Sequence, residues 1–317
     1  MLSQLLSPII LFFVLGMAAG FGRSDLSVPE QVAKGLSLYL MAAIGLKGGI
    51  EVAEVGFSSD MLIAAGVGMV LSCALPLPAF WMLQKFGRID RINAAAVSAH
   101  YGSVSVVTFV TAVEILPASG LSAEGYMVAV MALMETPAIV VGLMLARSRG
   151  FAKSGSQTNL VRETLLNGSV VMLAGSFAVG LTIGPSGFAS IAPVFESGFR
   201  GLLCLFLLDM GLVAARRLRG SQVLTPRMVA LAIFIPVFNG TIGVLAGTIA
   251  GLDPGSVAIL GTLAGSASYI AVPAAMRLAL PEADPGIYLT MSLAITFPFN
   301  LTLGIPFYTI MASGLQP

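Results

Sequence analysis

Ten stretches of this chain run through mostly apolar side chains, and the charged residues are crowded into the gaps between them. The stretches are roughly 4–20, 32–50, 61–84, 92–113, 125–146, 165–183, 198–215, 227–250, 256–278 and 286–313. A bilayer crossing takes about 20 apolar residues, so each stretch predicts one transmembrane helix. Among 317 residues only 10% are charged and 57% are hydrophobic, where a soluble domain carries about 25% charge. Too few charges remain to coat a soluble globule, which excludes a soluble enzyme and a disordered chain. A net charge of +1 gives no electrostatic case for nucleic acid. The two cysteines, Cys73 and Cys204, sit in apolar stretches with no disulfide or zinc spacing.

The gaps sort by charge. Arg23, Lys34, Lys85, Arg88, Arg91, Arg147, Arg149, Lys153, Arg162, Arg216, Arg217, Arg219, Arg227 and Arg277 all fall in or beside odd-numbered connections. Only Lys47 and Arg200 fall beside even-numbered ones. Basic connections stay in the cytoplasm, so both termini are expected outside, in a multi-pass protein of a bacterial inner membrane. No basic residue precedes Arg23, so the first segment is expected to be retained rather than cleaved as a signal peptide.

The halves echo one another. The fourth segment contains Gly102-Ser103-Val104-Ser105, and the ninth contains Gly265-Ser266-Ala267-Ser268. Pro137 and Pro298 follow at similar spacing, and the second and seventh segments each repeat Gly-Leu ten residues apart. This predicts a five-helix repeat over 1–147, a cytoplasmic linker over 148–163 and a second repeat over 164–317. Five crossings is an odd number, so the second repeat is inverted. Inverted repeats are a recurring plan of secondary transporters, with the site at the repeat interface.

Gly and Ser disfavour the helix interior, so each G-S-x-S predicts a broken helix. In hydrocarbon, the bared backbone is tolerated only where protein or a wet cavity surrounds it. Two such breaks bring two helix N-termini together, which is an anion site. Gly102, Ser103, Val104, Ser105, Gly265, Ser266, Ala267 and Ser268 are the expected substrate-binding residues. The plainer alternative is that these small residues only let helices pack closely. Neither segment offers Arg or Lys, so a small monovalent oxyanion fits better than a dianion.

At these residues a resemblance emerges. Ile44-Gly45-Leu46-Lys47-Gly48-Gly49, the first G-S-x-S, Met134 to Ala138, Phe199 to Leu203 and Gly265 to Pro273 resemble, in order, the sodium-dependent bicarbonate transporters of the cyanobacterial type. The resemblance implies an all-α membrane protein of ten helices divided into core and gate domains. It also implies an elevator-type cycle, a homotrimer, bicarbonate between the crossed helices and sodium beside it, with no other cofactor. Relatives engage a small P-II-like regulatory protein on the cytoplasmic face, although the linker here is short.

Departures from the family pattern include Tyr269 in place of an acid, Glu135 in place of Asp, and His100 at a usually apolar position. The expected cation oxygens are Thr108, Glu135, Thr136, Tyr269, Thr296 and Asn300. Glu135 and Asp209 are acids that no connection can absorb, and intramembrane acids are functional hypotheses by default. For Asp209 the competing reading is a hydrogen-bonded packing residue; Lys47 is expected to snorkel. His100 reads either as a proton relay or as a satisfied core residue. The leading expectation is therefore sodium-coupled bicarbonate uptake. The alternatives are a carrier of another small anion coupled to protons or sodium, and a membrane sensor without turnover. An enzyme is not expected, because no nucleophile–base pattern is present.

Overall fold

A computed structural model describes residues 7–56, 58–146, 168–220 and 224–315. The expected linker, 148–163, lies outside these residues. Among those described there is no strand, and every regular element is a helix.

In chain order the helices are α1 (Pro8–Phe21), α2 (Glu30–Val55), α3 (Ser59–Ala74), α4 (Pro76–Lys85), α5 (Arg91–Gly102), α6 (Val106–Ile115), α7 (Met127–Glu135) and α8 (Pro137–Ala146). After the linker come α9 (Gly168–Phe188), α10 (Phe199–Gly220), α11 (Pro226–Ile249), α12 (Pro254–Ala264) and α13 (Ala271–Ala279). The last, α14 (Pro285–Gly314), winds through wider π turns at Thr290–Thr296 and Asn300–Gly304.

Seven helical stretches among the described residues are long and apolar enough to cross a membrane. They are Glu30–Glu54, Ser59–Lys85, Arg91–Ser119, Met127–Ala146, Val171–Phe188, Pro226–Ile249 and Pro285–Gly314. Three of the ten expected segments fall outside this set for different reasons. Pro8–Phe21 and Pro254–Ala264 are apolar but short. Helix α10 has the length, but Arg200, Asp209 and Arg216 interrupt its apolar run.

Two packed groups divide the molecule. Helices α2 and α9 pack along each other, as do α1 and α10, and α10 also touches α2. Glycine makes both pairs close. A side chain at Gly16 or Gly211 would strike the facing backbone of α10 or α1, and one at Gly49 or Gly180 that of α9 or α2. Small residues that let backbones approach are the usual glue between helices in lipid. The second group is built on α11 against α12, α5 against α8, α3 against α7, and α12 against α14. Between the groups, α10 touches the first π turn of α14, and α9 touches α7.

The two helices that carry G-S-x-S enter from opposite ends. Each begins on an aspartate cap. Asp90 accepts from Ile92 and Asn93 N–H groups at 3.1 and 3.0 Å, and Asp253 from Ser256 N–H at 2.9 Å. Such caps satisfy donors that the first turn leaves bare. Asn93 Oδ1 then accepts Asp284 N–H at 2.7 Å, placing the start of α14 beside the start of α5. Ser256 Oγ accepts Glu124 N–H at 3.2 Å, placing the start of α12 beside the loop that follows α6. At about 1.5 Å per residue, α5 and α12 each extend about 16–18 Å, roughly half of a ~30 Å hydrocarbon core.

Candidate substrate and ion site

Helix α5 ends at Gly102 because Ser103 turns to extended backbone, φ −87° and ψ 179°. Helical geometry resumes at Val106, with Ser105 as cap. Ser105 Oγ accepts the Thr108 N–H at 3.2 Å and the Thr108 hydroxyl at 2.9 Å. In the ninth segment α12 ends at Ala264 and α13 begins at Ala271 with no side-chain cap from Ile270. Ser268 Oγ accepts the Val272 N–H there at a long 3.4 Å.

The two breaks are bonded to each other across the core. Ser105 N–H donates to Ser266 Oγ at 2.9 Å, and Ser268 N–H donates to the His100 carbonyl at 2.9 Å. Gly102 and Gly265 sit where no side chain fits. A Cβ on Gly102 would lie 2.3 Å from Pro76 Cγ, and one on Gly265 2.4 Å from Tyr308 Oη.

The four serines divide into two kinds. Ser103 spends its proton on the Glu135 carbonyl at 3.1 Å, and Ser266 on the Leu263 carbonyl at 2.8 Å. Ser105 and Ser268 only accept in the bonds above, which leaves the Ser268 proton for a ligand and the Ser105 proton to be shared between a ligand and Tyr269 Oη. Ser105 has the Tyr269 hydroxyl alongside it. The expectation of four hydroxyl donors therefore narrows to two. Backbone supplies the rest. The first N–H groups of a helix have no intrahelical acceptor, and here they belong to Val106 and Val107 in one half and to Ala271 in the other. Both carry the positive end of a helix dipole. Val104 and Ala267 are buried between these donors.

Around the breaks lies a layer of neutral oxygens. Thr296 Oγ1 donates to the Ala232 carbonyl at 2.6 Å, an acceptor left free because Pro236, four residues on, has no N–H. Tyr101 Oη must then be the donor in its 2.7 Å bond to Thr296. Asn300 Nδ2 donates to the Gly265 carbonyl at 2.8 Å, and Asn239 Nδ2 to the Tyr101 carbonyl at 3.0 Å. Tyr269 packs edge-on against Phe297, with centroids 5.3 Å apart.

Of the residues expected here, Thr108, Tyr269, Thr296 and Asn300 do reach the crossing. Glu135 is 2% exposed and joins it through its carbonyl, which holds Ser103. Thr136 does not reach it by any hydrogen bond of its side chain, which is partly exposed at the Pro137 kink. Ser72 spans that kink instead, donating to the Met134 carbonyl and accepting from Ala138 N–H. His100 is fully buried, with Nδ1 2.7 Å from the Ala96 carbonyl and its ring stacked on Tyr288. Nδ1 is thus the protonated nitrogen of the neutral ring, and Nε2 has no partner. Among the described residues no cluster of three or more His, Cys, Asp or Glu forms a metal site. The chemistry available to a cation is neutral oxygen.

Two features were not expected. Asn239 lies buried inside an apolar run, and a polar side chain at that depth is a functional candidate. Lys47 does more than snorkel: it lines a cavity of about 120 Å³ with Glu51, Glu114, Phe109, Gly125 and Phe199. Phe109 belongs to the first turn of α6, and Val110, Val113 and Glu114 further along the same helix also line the cavity. Lys47 Nζ lies 5.4 Å from the centre of the Phe199 ring. Across the rim, Arg200 pairs with Glu114 at 2.6 Å. Asp209 is 6% exposed within α10.

A donor-lined crossing beside neutral oxygens suits a small anion and a hard monovalent cation. No curated protein matches the chain. A family model does, over residues 8–313, and it places the chain in the Na+-dependent bicarbonate transporter superfamily, to which this multi-pass membrane protein belongs.

Proposed function

We propose that the protein takes up bicarbonate by coupling it to sodium. The observation that carries this is the meeting of two helix N-termini, tied by the Ser105–Ser266 and Ser268–His100 bonds. The N–H groups of Val106, Val107 and Ala271 and the protons of Ser105 and Ser268 hold the anion. Helix N-termini are ready-made anion sites, and no lysine or arginine is needed at the crossing. A sodium ion on the oxygens of Thr108, Tyr269, Thr296 and Asn300 supplies the missing positive charge. Glu135 lies within the same layer, and Thr136 stands at its edge.

Coupling follows from energetics. A potential of 100 mV, negative inside, opposes entry of a monovalent anion by about 2.3 kcal/mol. Passive entry would need roughly a fiftyfold outward excess, at tenfold per ~1.4 kcal/mol. One sodium cancels the charge, and a second makes uptake electrogenic.

The architecture we propose is ten crossings in two inverted repeats, 1–147 and 164–317. Support comes from two broken helices that enter from opposite ends, each on an aspartate cap and each interrupted at G-S-x-S. The group of α1, α2, α9 and α10 acts as the gate, and the other carries the site past it in an elevator cycle. By charge bias, both termini lie outside the inner membrane. By resemblance, the assembly is a homotrimer with a P-II-like partner on the cytoplasmic face.

Reconstituted in liposomes, the protein should take up labelled bicarbonate only with an inward sodium gradient. Uptake that ignores sodium contradicts the coupling. A second reading, proton coupling, is favoured by the unpartnered Nε2 of His100. It requires sodium-independent, pH-driven uptake that His100→Ala abolishes.

A further inference from the structure

Each first half-helix at the crossing ends in carbonyls that have no intrahelical donor, and their partners can be traced one by one. In α5 the Ala99 carbonyl accepts from Ser103 N–H at 3.1 Å and the His100 carbonyl from Ser268 N–H at 2.9 Å. The Tyr101 carbonyl takes Asn239 Nδ2 at 3.0 Å. The Gly102 carbonyl receives no donor from the described residues. Asn239 reaches this point from mid-α11, and it is 0% exposed. Its other amide atom, Oδ1, is buried with no partner.

Asn300 repeats the arrangement at the second break. Its Nδ2 holds the Gly265 carbonyl at 2.8 Å. Its Oδ1 has only the Tyr308 hydroxyl at 3.4 Å, and that hydroxyl's single proton goes to the Pro236 carbonyl at 2.8 Å. Two asparagines from different helices thus pin the carbonyl ends of the two broken helices, and each keeps a side-chain oxygen with no strong donor of its own.

Buried oxygens without donors are rare, and they call for a water or an ion. These stand at the negative ends of helix dipoles. No lysine or arginine lies on either break, so the surroundings favour a cation. Hard cations take oxygen ligands, and in transporters with broken helices the half-helix carbonyl ends are where sodium is held.

We infer that Asn239 is a sodium ligand, its Oδ1 acting with the free carbonyl end of α5 at the first break, as Asn300 does at the second. The inference rests on the sodium-coupled reading above. It predicts that the amide nitrogen shapes the site while the amide oxygen binds the ion, so two substitutions separate the roles. Asn239→Ala removes both atoms. Asn239→Asp keeps an oxygen in the same place, gives up the donor to Tyr101 and adds a negative charge that itself favours a cation.

The test is thermal melting of the purified full-length protein in detergent. Sodium chloride is titrated against N-methylglucamine chloride at constant ionic strength, without bicarbonate. Sodium should stabilise the wild type saturably. Asn239→Ala should raise the half-saturating sodium concentration by about tenfold or more, the scale of one lost contact to a charged group. Asn239→Asp should stay within about threefold of the wild type, a difference below ~0.7 kcal/mol. An unchanged response in Asn239→Ala overturns the inference. So does an equal loss in both variants, which would make Asn239 a clamp for Tyr101 alone. A wild type that shows no sodium-specific stabilisation is a different result, because it removes the sodium-coupled reading itself.

Discussion

At the first break the chain leaves helical geometry for the three residues 103–105, and Ser105 caps the helix that follows with two bonds. At the second the helix is interrupted over residues 265–270, with Gly265 and Ile270 still in right-handed dihedrals at its edges, and α13 starts with one long bond from Ser268. The same G-S-x-S pattern is therefore finished in two ways. The first half-site is pre-organised, with its donors fixed before any ligand arrives. The second is looser and can close on an anion already seated against α6. Pre-organisation lowers the ordering cost of binding, so most of the affinity should reside at the first break.

The largest expected effect comes from filling the space where each broken helix ends. Gly102→Val should abolish uptake and lower the melting temperature, because the new side chain meets the rigid Pro76 ring. Overpacking of this kind costs about 1–3 kcal/mol or more. Gly265→Val should be milder in stability, since its first obstacle is the Tyr308 hydroxyl, although the Pro236 carbonyl lies only 2.9 Å away. Equal losses would argue against a looser second break.

Next comes Thr296→Val, which strands the Tyr101 hydroxyl and the Ala232 carbonyl together. Leaving buried groups unsatisfied costs about 1–3 kcal/mol, measurable by denaturation in detergent. Ser105→Ala against Ser268→Ala is the sharper comparison. Loss of a helix cap costs about 1 kcal/mol, so Ser105→Ala should weaken bicarbonate affinity and stability more than Ser268→Ala. The reverse order would place the fixed half-site at the second break.

Smaller effects are expected away from the breaks. Arg200→Ala removes an ion pair whose arginine is 72% exposed. Exposed pairs contribute about 0–1 kcal/mol and are screened by salt, so uptake should change little at physiological ionic strength. At the start of α5, partial burial pushes the Asp90 carboxyl up. Hydrogen bonds from Asn93 and the Ile92 N–H outweigh that and hold it below its ordinary value. A depressed carboxyl stabilises the fold above its unfolded value, and that contribution fades as pH falls through the folded one. Asp90→Asn should therefore lower the melting temperature most at neutral pH, with the difference from wild type shrinking as pH falls, so the acid limb of the profile is flatter.

The breaks were legible in sequence because their cause is local. Gly102-Ser103 and Gly265-Ser266 disfavour helix wherever they stand, and Pro137 marks its own kink. The apolar runs that predict ten segments are also local, yet α10 reads ambiguously because Arg200, Asp209 and Arg216 interrupt its run. What stayed hidden depends on partners far along the chain. Nothing near Ser103 announces that its proton goes to Glu135, 32 residues away. Nothing near Tyr101 announces Asn239, 138 residues away. Thr136 reads in sequence as a neutral oxygen for sodium, a polar side chain inside an apolar segment. The Pro137 kink, bridged by Ser72, leaves its side chain partly exposed instead. Asn239 itself carries a usable signal, an amide amid apolar neighbours, and its likeness to Asn300, each amide holding the carbonyl end of a broken helix, becomes visible only once the helices are packed.

The central claim is that one anion is held between two helix ends, and a structure of the protein with bicarbonate and sodium tests it most directly. The account predicts anion density within about 3 Å of the Val106 and Val107 N–H groups, the usual hydrogen-bond range, with Ala271 on its other side. Density seated instead beside Lys47 in the outer cavity, with the crossing empty, would contradict it.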